Sequence, residues 1–174
     1  MAAPTTSPTR SATRFGLPED ELRAIVVDLA GRPELWREHV AHDRDQRQFT
    51  RLRIDDELEV WLICWMAGQD TGLHDHGDSA GAVAVVQGAV HEERYLHRSL
   101  AHELEYTVGE TLTFSPTEVH RVRHSGDEPA VTLHAYSPPL SGSNAYAIDH
   151  DGRWRSVAVA DDEELRPVDA GPAS

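Results

Sequence analysis

The chain has 174 residues with 30 acidic and 16 basic side chains, a formal net charge of -14, and its basic residues other than histidine are all arginine. Such an acidic chain argues against nucleic acid or an anionic membrane as a partner, and its length suits one domain with a real core. The single cysteine, Cys64, excludes an internal disulfide and fits a reducing, cytoplasmic setting.

Residues 1–15 contain no apolar h-region, so they read as a disordered tail and not as a secretory signal. Pro18 followed by Glu19, Asp20 and Glu21 marks a helix start. Leu22, Ile25, Val26 and Leu29 continue at helical spacing until Gly31. A second short helix is expected over 33–39, giving a helical cap over 16–42. From Gln48 the texture changes to short strand-like segments separated by Gly, Pro, Asp or Ser. They are expected at 48–54, 58–66, 82–87, 89–95, 103–107, 111–114, 120–124, 130–136, 145–148 and 154–159. Many short, closely spaced strands argue for an all-β sandwich or barrel within 46–160. No apolar run approaches the ~20 residues of a membrane helix. The acidic, apolar-poor stretch 161–174 reads as a flexible tail.

Three stretches carry the chemistry. The first, 68–88, holds His74 and His76, which share one face if that segment is a strand. Imidazole is a common ligand for iron, zinc, copper and nickel. Taken alone, this H-x-H is equally a polar loop with two solvated histidines. The second, 109–120, runs through a strand and a proline turn to His120. The third, 132–139, places His134 and Tyr136 on one strand face before Ser137-Pro138-Pro139. Polar rings pointed into a small barrel must be paired with one another or with a metal.

These residues resemble the cupin motifs. Gly68, His74, His76, Gly81 and Gly88 fill the spacing of the first motif, with Gly81 where cupins carry a glutamate. Pro116 to His120 resembles the end of the second, with Glu118 in place of a glycine. Loss of the glutamate leaves three neutral imidazoles, as in the thiol dioxygenases. The resemblance to the cysteine dioxygenase type I family is closer still. HDHGDSAG at 74–81, HRV at 120–122 and LHAYSPP at 133–139 match its blocks in order. FTR at 49–51 stands where that family carries a substrate-binding arginine.

The resemblance implies a jelly-roll cupin barrel and one Fe(II) ion on His74, His76 and His120. It implies Arg51 on the substrate carboxylate, Tyr136 beside the substrate and dioxygen, and His134 bonded to the tyrosine hydroxyl. The implied partners are L-cysteine and O2, with cysteine sulfinic acid as product and a monomer or weak homo-oligomer as the working unit. A mercaptopropionate-type dioxygenase and a metal-binding cupin without turnover remain alternatives. The plainer alternatives are a surface ion-pair arginine for Arg51 and a core tyrosine for Tyr136. In animal members a cysteine at the Gly81 position is cross-linked to the tyrosine, which glycine cannot do. Where those enzymes carry a tyrosine this chain has Phe49. Cys64 is expected in the core, with Trp61 and Trp65 packing on one face. His91, His97, His102, His124 and His150 are expected at the surface.

Overall fold

The computed structural model describes residues 16–160 and 164–168. The expected tail at 1–15 lies outside them, as do 161–163 and 169–174. One helix, α1 (Glu19–Ala30), precedes eleven strands: β1 (Gln48–Ile54), β2 (Glu59–Trp65), β3 (Leu73–Asp75), β4 (Ala80–Gln87), β5 (Ala89–Leu96), β6 (Ser99–Thr107), β7 (Thr111–Phe114), β8 (Val119–Ser125), β9 (Ala130–Ser137), β10 (Ser143–Ile148) and β11 (Trp154–Val159). They form two antiparallel sheets, β1-β2-β9-β4-β7 and β11-β10-β3-β8-β5-β6. The chain is therefore an all-β jelly-roll sandwich with a short N-terminal helix.

Side-chain alternation explains the first sheet. On β4, Ala80, Ala82 and Ala84 meet Leu22 and Val26 of α1, while Val83 and Val85 join the clusters between the sheets. Small residues on the outer face let the helix lie close to the strand. Both faces are covered, which is why β4 and β9 are buried along nearly their whole length. On β9 the outer residues Val131, Leu133 and Ala135 pack toward the helical cap, leaving Thr132, His134 and Tyr136 for the interior. Cys64 is buried in the same outer cluster as a free thiol.

The helix expected at 33–39 is instead two single 3-10 turns, Pro33–Leu35 and Arg37–His39. Trp36 between them has φ -137°, outside helical geometry. Its indole N–H donates to the Leu29 carbonyl at 3.0 Å, and its ring packs with Leu62, Val131 and Leu133. Anchoring that large ring wins over a continuous helical turn. The β1–β2 hairpin turns at Asp55, whose Oδ1 accepts the N–H groups of Glu57 and Leu58. The β1 register slips between Arg51 and Arg53, so the strict alternation of a regular strand stops there.

Candidate metal centre and substrate cavity

β3 is short, and His76 falls one residue beyond its end. His74 pairs in register with His120 on β8. The alternate residue, Asp75, faces away from the histidines. It accepts from the Gly77 N–H, Asn144 Nδ2 and the Tyr146 hydroxyl, which fixes the loop after the strand. His74, His76 and His120 are all buried, with one ring nitrogen from each lying within 4.8 Å of the others.

Hydrogen bonds set the tautomers. His74 Nδ1 lies 3.1 Å from the Gly72 carbonyl, so Nδ1 carries the proton and Nε2 keeps its lone pair. His120 Nδ1 meets Glu92 Oε1 at 2.8 Å, which frees its Nε2 in the same way. Nε2 of His76 lies 3.2 Å from Nε2 of His120. Two lone pairs that close repel unless a proton or a cation sits between them. A metal–nitrogen bond of about 2.1 Å sets neighbouring ligand nitrogens about 3.0–3.4 Å apart, which brackets that spacing. Burial first, and the neighbouring histidines second, hold His74 and His76 well below the usual imidazole pKa, in the neutral form that ligates metal. The donor set fits a divalent ion.

Glu92 was not singled out by the sequence, yet it is fully buried beneath His120. Burial works to raise its pKa, and the bond from His120 with the charge of Arg94 brings it below the usual carboxylate value. Arg94 reaches it at 3.0 Å. A second group, His91, Glu93 and Glu103, also has metal-ligand spacing. There Arg121 and Arg123 already neutralise the carboxylates, at 3.6–3.7 Å.

The opposite wall of the cavity comes from the other sheet. Tyr136 Oη and His134 Nδ1 are 3.0 Å apart, His134 Nε2 and Thr132 Oγ1 are 2.8 Å apart, and Trp65 Nε1 donates to Thr132 Oγ1 at 2.8 Å. This line of bonds fixes the tyrosine beside the histidines, its ring 4.9 Å from that of His76. Burial, followed by His120 and Arg47, pushes His134 down to about 3. Burial and then Glu59 raise Tyr136, which keeps its hydroxyl protonated. Gly81 pairs with both Tyr136 and Phe114 across the sheet. A Cβ at Gly81 would run into the Phe114 ring, which stacks on His76 at 4.8 Å.

The cavity is lined by all three histidines, His134 and Tyr136, with Phe49, Trp61, Ile63 and Leu140 among its apolar walls. Arg51 is not among the lining residues. Its Nη1 lies 3.2 Å from Oε1 of the buried Glu59, its guanidinium stacks over Trp61 at 5.3 Å, and its side chain is 44% exposed. Arg47 does line the cavity, together with Glu164 and Leu165. Residues 164–168 therefore lie against the sandwich. Pro167 packs on Gly72, whose φ of +69° and lack of a Cβ allow the approach.

Fold and donor set together define a cupin with a three-histidine cluster suited to a metal ion. The fold is similar to a double-stranded β-helix protein from Klebsiella pneumoniae (TM-score 0.54, 18% identity, covering 62% of this chain and 90% of that one). It is also similar to a cupin superfamily protein from Desulfitobacterium hafniense (TM-score 0.51, 11% identity, 59% of this chain and 87% of that one). The chain belongs to the cysteine dioxygenase type I family, whose model matches residues 17–149. Cysteine dioxygenase type 1 of Bos taurus is 26% identical over 148 residues, covering 73% of this chain and 68% of the relative. The Rattus norvegicus protein of the same name is 27% identical over 139 residues, with the same coverage.

Proposed function

We propose that this protein is an iron-dependent thiol dioxygenase that converts L-cysteine and O2 to cysteine sulfinic acid. The observation that carries the reading is one cavity joining three buried, convergent imidazoles to the buried Tyr136–His134 pair. The reaction R–SH + O2 → R–SO2H balances without an external reductant. Both oxygen atoms enter the product, and sulfur supplies the electrons. His74, His76 and His120 would hold the ion, which supplies charge for a thiolate and redox chemistry toward dioxygen. No ligand carboxylate offsets its charge, so an anionic sulfur is favoured there.

The chain's own groups do the positioning. Tyr136, kept protonated by burial, offers an O–H beside the ligands. His134 holds that hydroxyl and is itself held by Thr132. Phe49, Trp61, Ile63 and Leu140 keep the cavity apolar, which strengthens each polar contact inside it. Two cations are candidates for a substrate carboxylate: Arg51, by family resemblance, and Arg47, by its place in the wall.

Anaerobic Fe(II) loading followed by oxygen uptake tests the reading across cysteine, cysteamine and 3-mercaptopropionate. Oxygen consumed one-to-one with sulfinate formed from cysteine is the expected result. Faster turnover of 3-mercaptopropionate would move the substrate to the sister class, and metal binding with no uptake would make the protein a binder. Removing any one imidazole by His74→Ala, His76→Ala or His120→Ala is expected to reduce iron occupancy sharply. Full iron content in all three variants overturns the ligand assignment. Tyr136→Phe is expected to retain iron and lose roughly ten- to a hundredfold in kcat, the lower part of the range for a positioned proton donor.

A further inference from the structure

Arg47 stands in the loop residue just before β1 and is only 4% exposed. An arginine this deep is normally paired, because an unpaired buried charge is costly. Its backbone N–H donates to Glu164 Oε1 at 3.2 Å, and its Nη2 donates to the Leu165 carbonyl at 2.5 Å. The guanidinium lies over the Trp65 ring at 4.7 Å. Nε and Nη1 are buried and have no hydrogen-bond partner among the described residues. The nearby carboxylate is committed elsewhere: Glu164 Oε1 takes the Arg47 backbone, and Oε2 takes Arg166. Trp61 Nε1, another donor in the same cavity wall, is also without a partner among the described residues. The wall thus carries buried N–H groups in excess of acceptors.

We propose, resting on the small-thiol reading above, that Arg47 is the cation that holds the substrate's carboxylate inside this cavity. A carboxylate is acceptor-only, with four lone-pair sites on two oxygens, and matches a donor-rich wall. It would also give Nε and Nη1 of the buried guanidinium the acceptors they lack among the described residues. Burial, opposed in part by Glu164, keeps Arg47 below the usual arginine value, the direction expected of a cation short of an anion. Arg51 is differently placed: it is half in solvent and already faces a carboxylate in Glu59. Trp65 under the guanidinium and residue 165 above it hold Arg47 in place before substrate arrives, so little ordering is left for binding. The chemical class selected is a small thiol bearing a carboxylate, in preference to a plain aminothiol.

The test compares iron-loaded wild type with Arg47→Gln, Arg47→Lys and Arg51→Gln. Oxygen uptake gives kcat/KM for cysteine and for cysteamine, which keeps thiol and amine but lacks the carboxylate. Anaerobic calorimetry gives the affinity for the same two thiols. The cysteine-to-cysteamine ratio is expected to fall roughly ten- to a hundredfold in Arg47→Gln, mainly through KM and affinity. Arg47→Lys, which keeps the charge without the planar fork, is expected to lose roughly three- to tenfold. Equal losses for both thiols, an unchanged ratio, or a ratio that collapses only in Arg51→Gln overturns the proposal. Should Arg47→Gln fail to fold, the lysine variant decides, and an unchanged ratio there overturns it. A wild type that binds thiols without oxidising them sinks the dioxygenase reading alone. The affinity ratio then decides Arg47 by the same criteria. A wild type that binds neither thiol overturns both.

Discussion

The carboxylate of Glu92 beneath His120 Nδ1 orients one ring of the histidine cluster. Glu92→Gln is expected to leave the fold intact and weaken metal affinity roughly ten- to a hundredfold. Competitive chelator titration reads this directly, and unchanged affinity would make Glu92 a partner of Arg94 only. His134 makes a different prediction. Its folded pKa is about 3 against an unfolded value near 6.5, so below pH 6.5 the unfolded chain takes up a proton that the folded chain refuses. Stability from this group is present above 6.5 and falls by about 1.4 kcal/mol per pH unit from there toward 3. Urea melts at pH 7.5 and 5.5 should show that loss, and His134→Gln should reduce it. The three clustered histidines, Tyr136 and His134 were legible because their spacing fits short strands and because they resemble known motifs. Glu92, Thr132 and Arg47 were not. Each is an ordinary residue type whose meaning comes from what lies across the sheet or, for Arg47, from residue 165.

Strand β4 shows how one position links local geometry to the site. Gly81 lies between Tyr136 and Phe114 in the sheet, and the Phe114 ring fills the space a side chain there would need. Gly81→Cys is therefore expected to lower stability by about 1–3 kcal/mol through overpacking. The loss should shrink in a Phe114→Leu background, a coupling that a double-mutant thermal-melt cycle measures. Intact mass of the native chain should show no two-proton loss. Most strands stand close to their expected bounds, since Gly, Pro and Asp turn residues punctuate them. The miss at 33–39 came from Trp36, whose burial no local pattern announces. The irregularity after Arg51 was hidden for a similar reason: a bulge is specified by the partner strand. That strand is β2, where Arg51 pairs with Trp61 and Arg53 with Val60.

At the scale of the whole molecule, the histidine triad and the tyrosine pair belong to different sheets. The triad comes from β3, its following residue and β8, and the pair comes from β9. The β3–β8 junction is narrow, with a single register pair, His74 with His120. It is reinforced nearby by the Asp70–Arg123 bridge, the Arg121–Asp70 ion pair and the bonds between Thr71 and Val122. A bound ion would add three ligand bonds across that junction. Chelation is therefore expected to speed amide exchange in β10 and β11, which reach the second sheet through β3, while β4 and β9 stay protected. Equal protection with and without the ion would show that the protein junction is sufficient by itself. The narrow seam also bears on the protein's lifetime in a cell. Without an ion on the proposed site the chain would hold three strands by a weak hinge, and its parting would bare the backbone edge of β8 to proteases and to other chains. With iron as the proposed ion, iron starvation is then expected to lower the amount of protein, which pulse–chase abundance in iron-limited cells would measure.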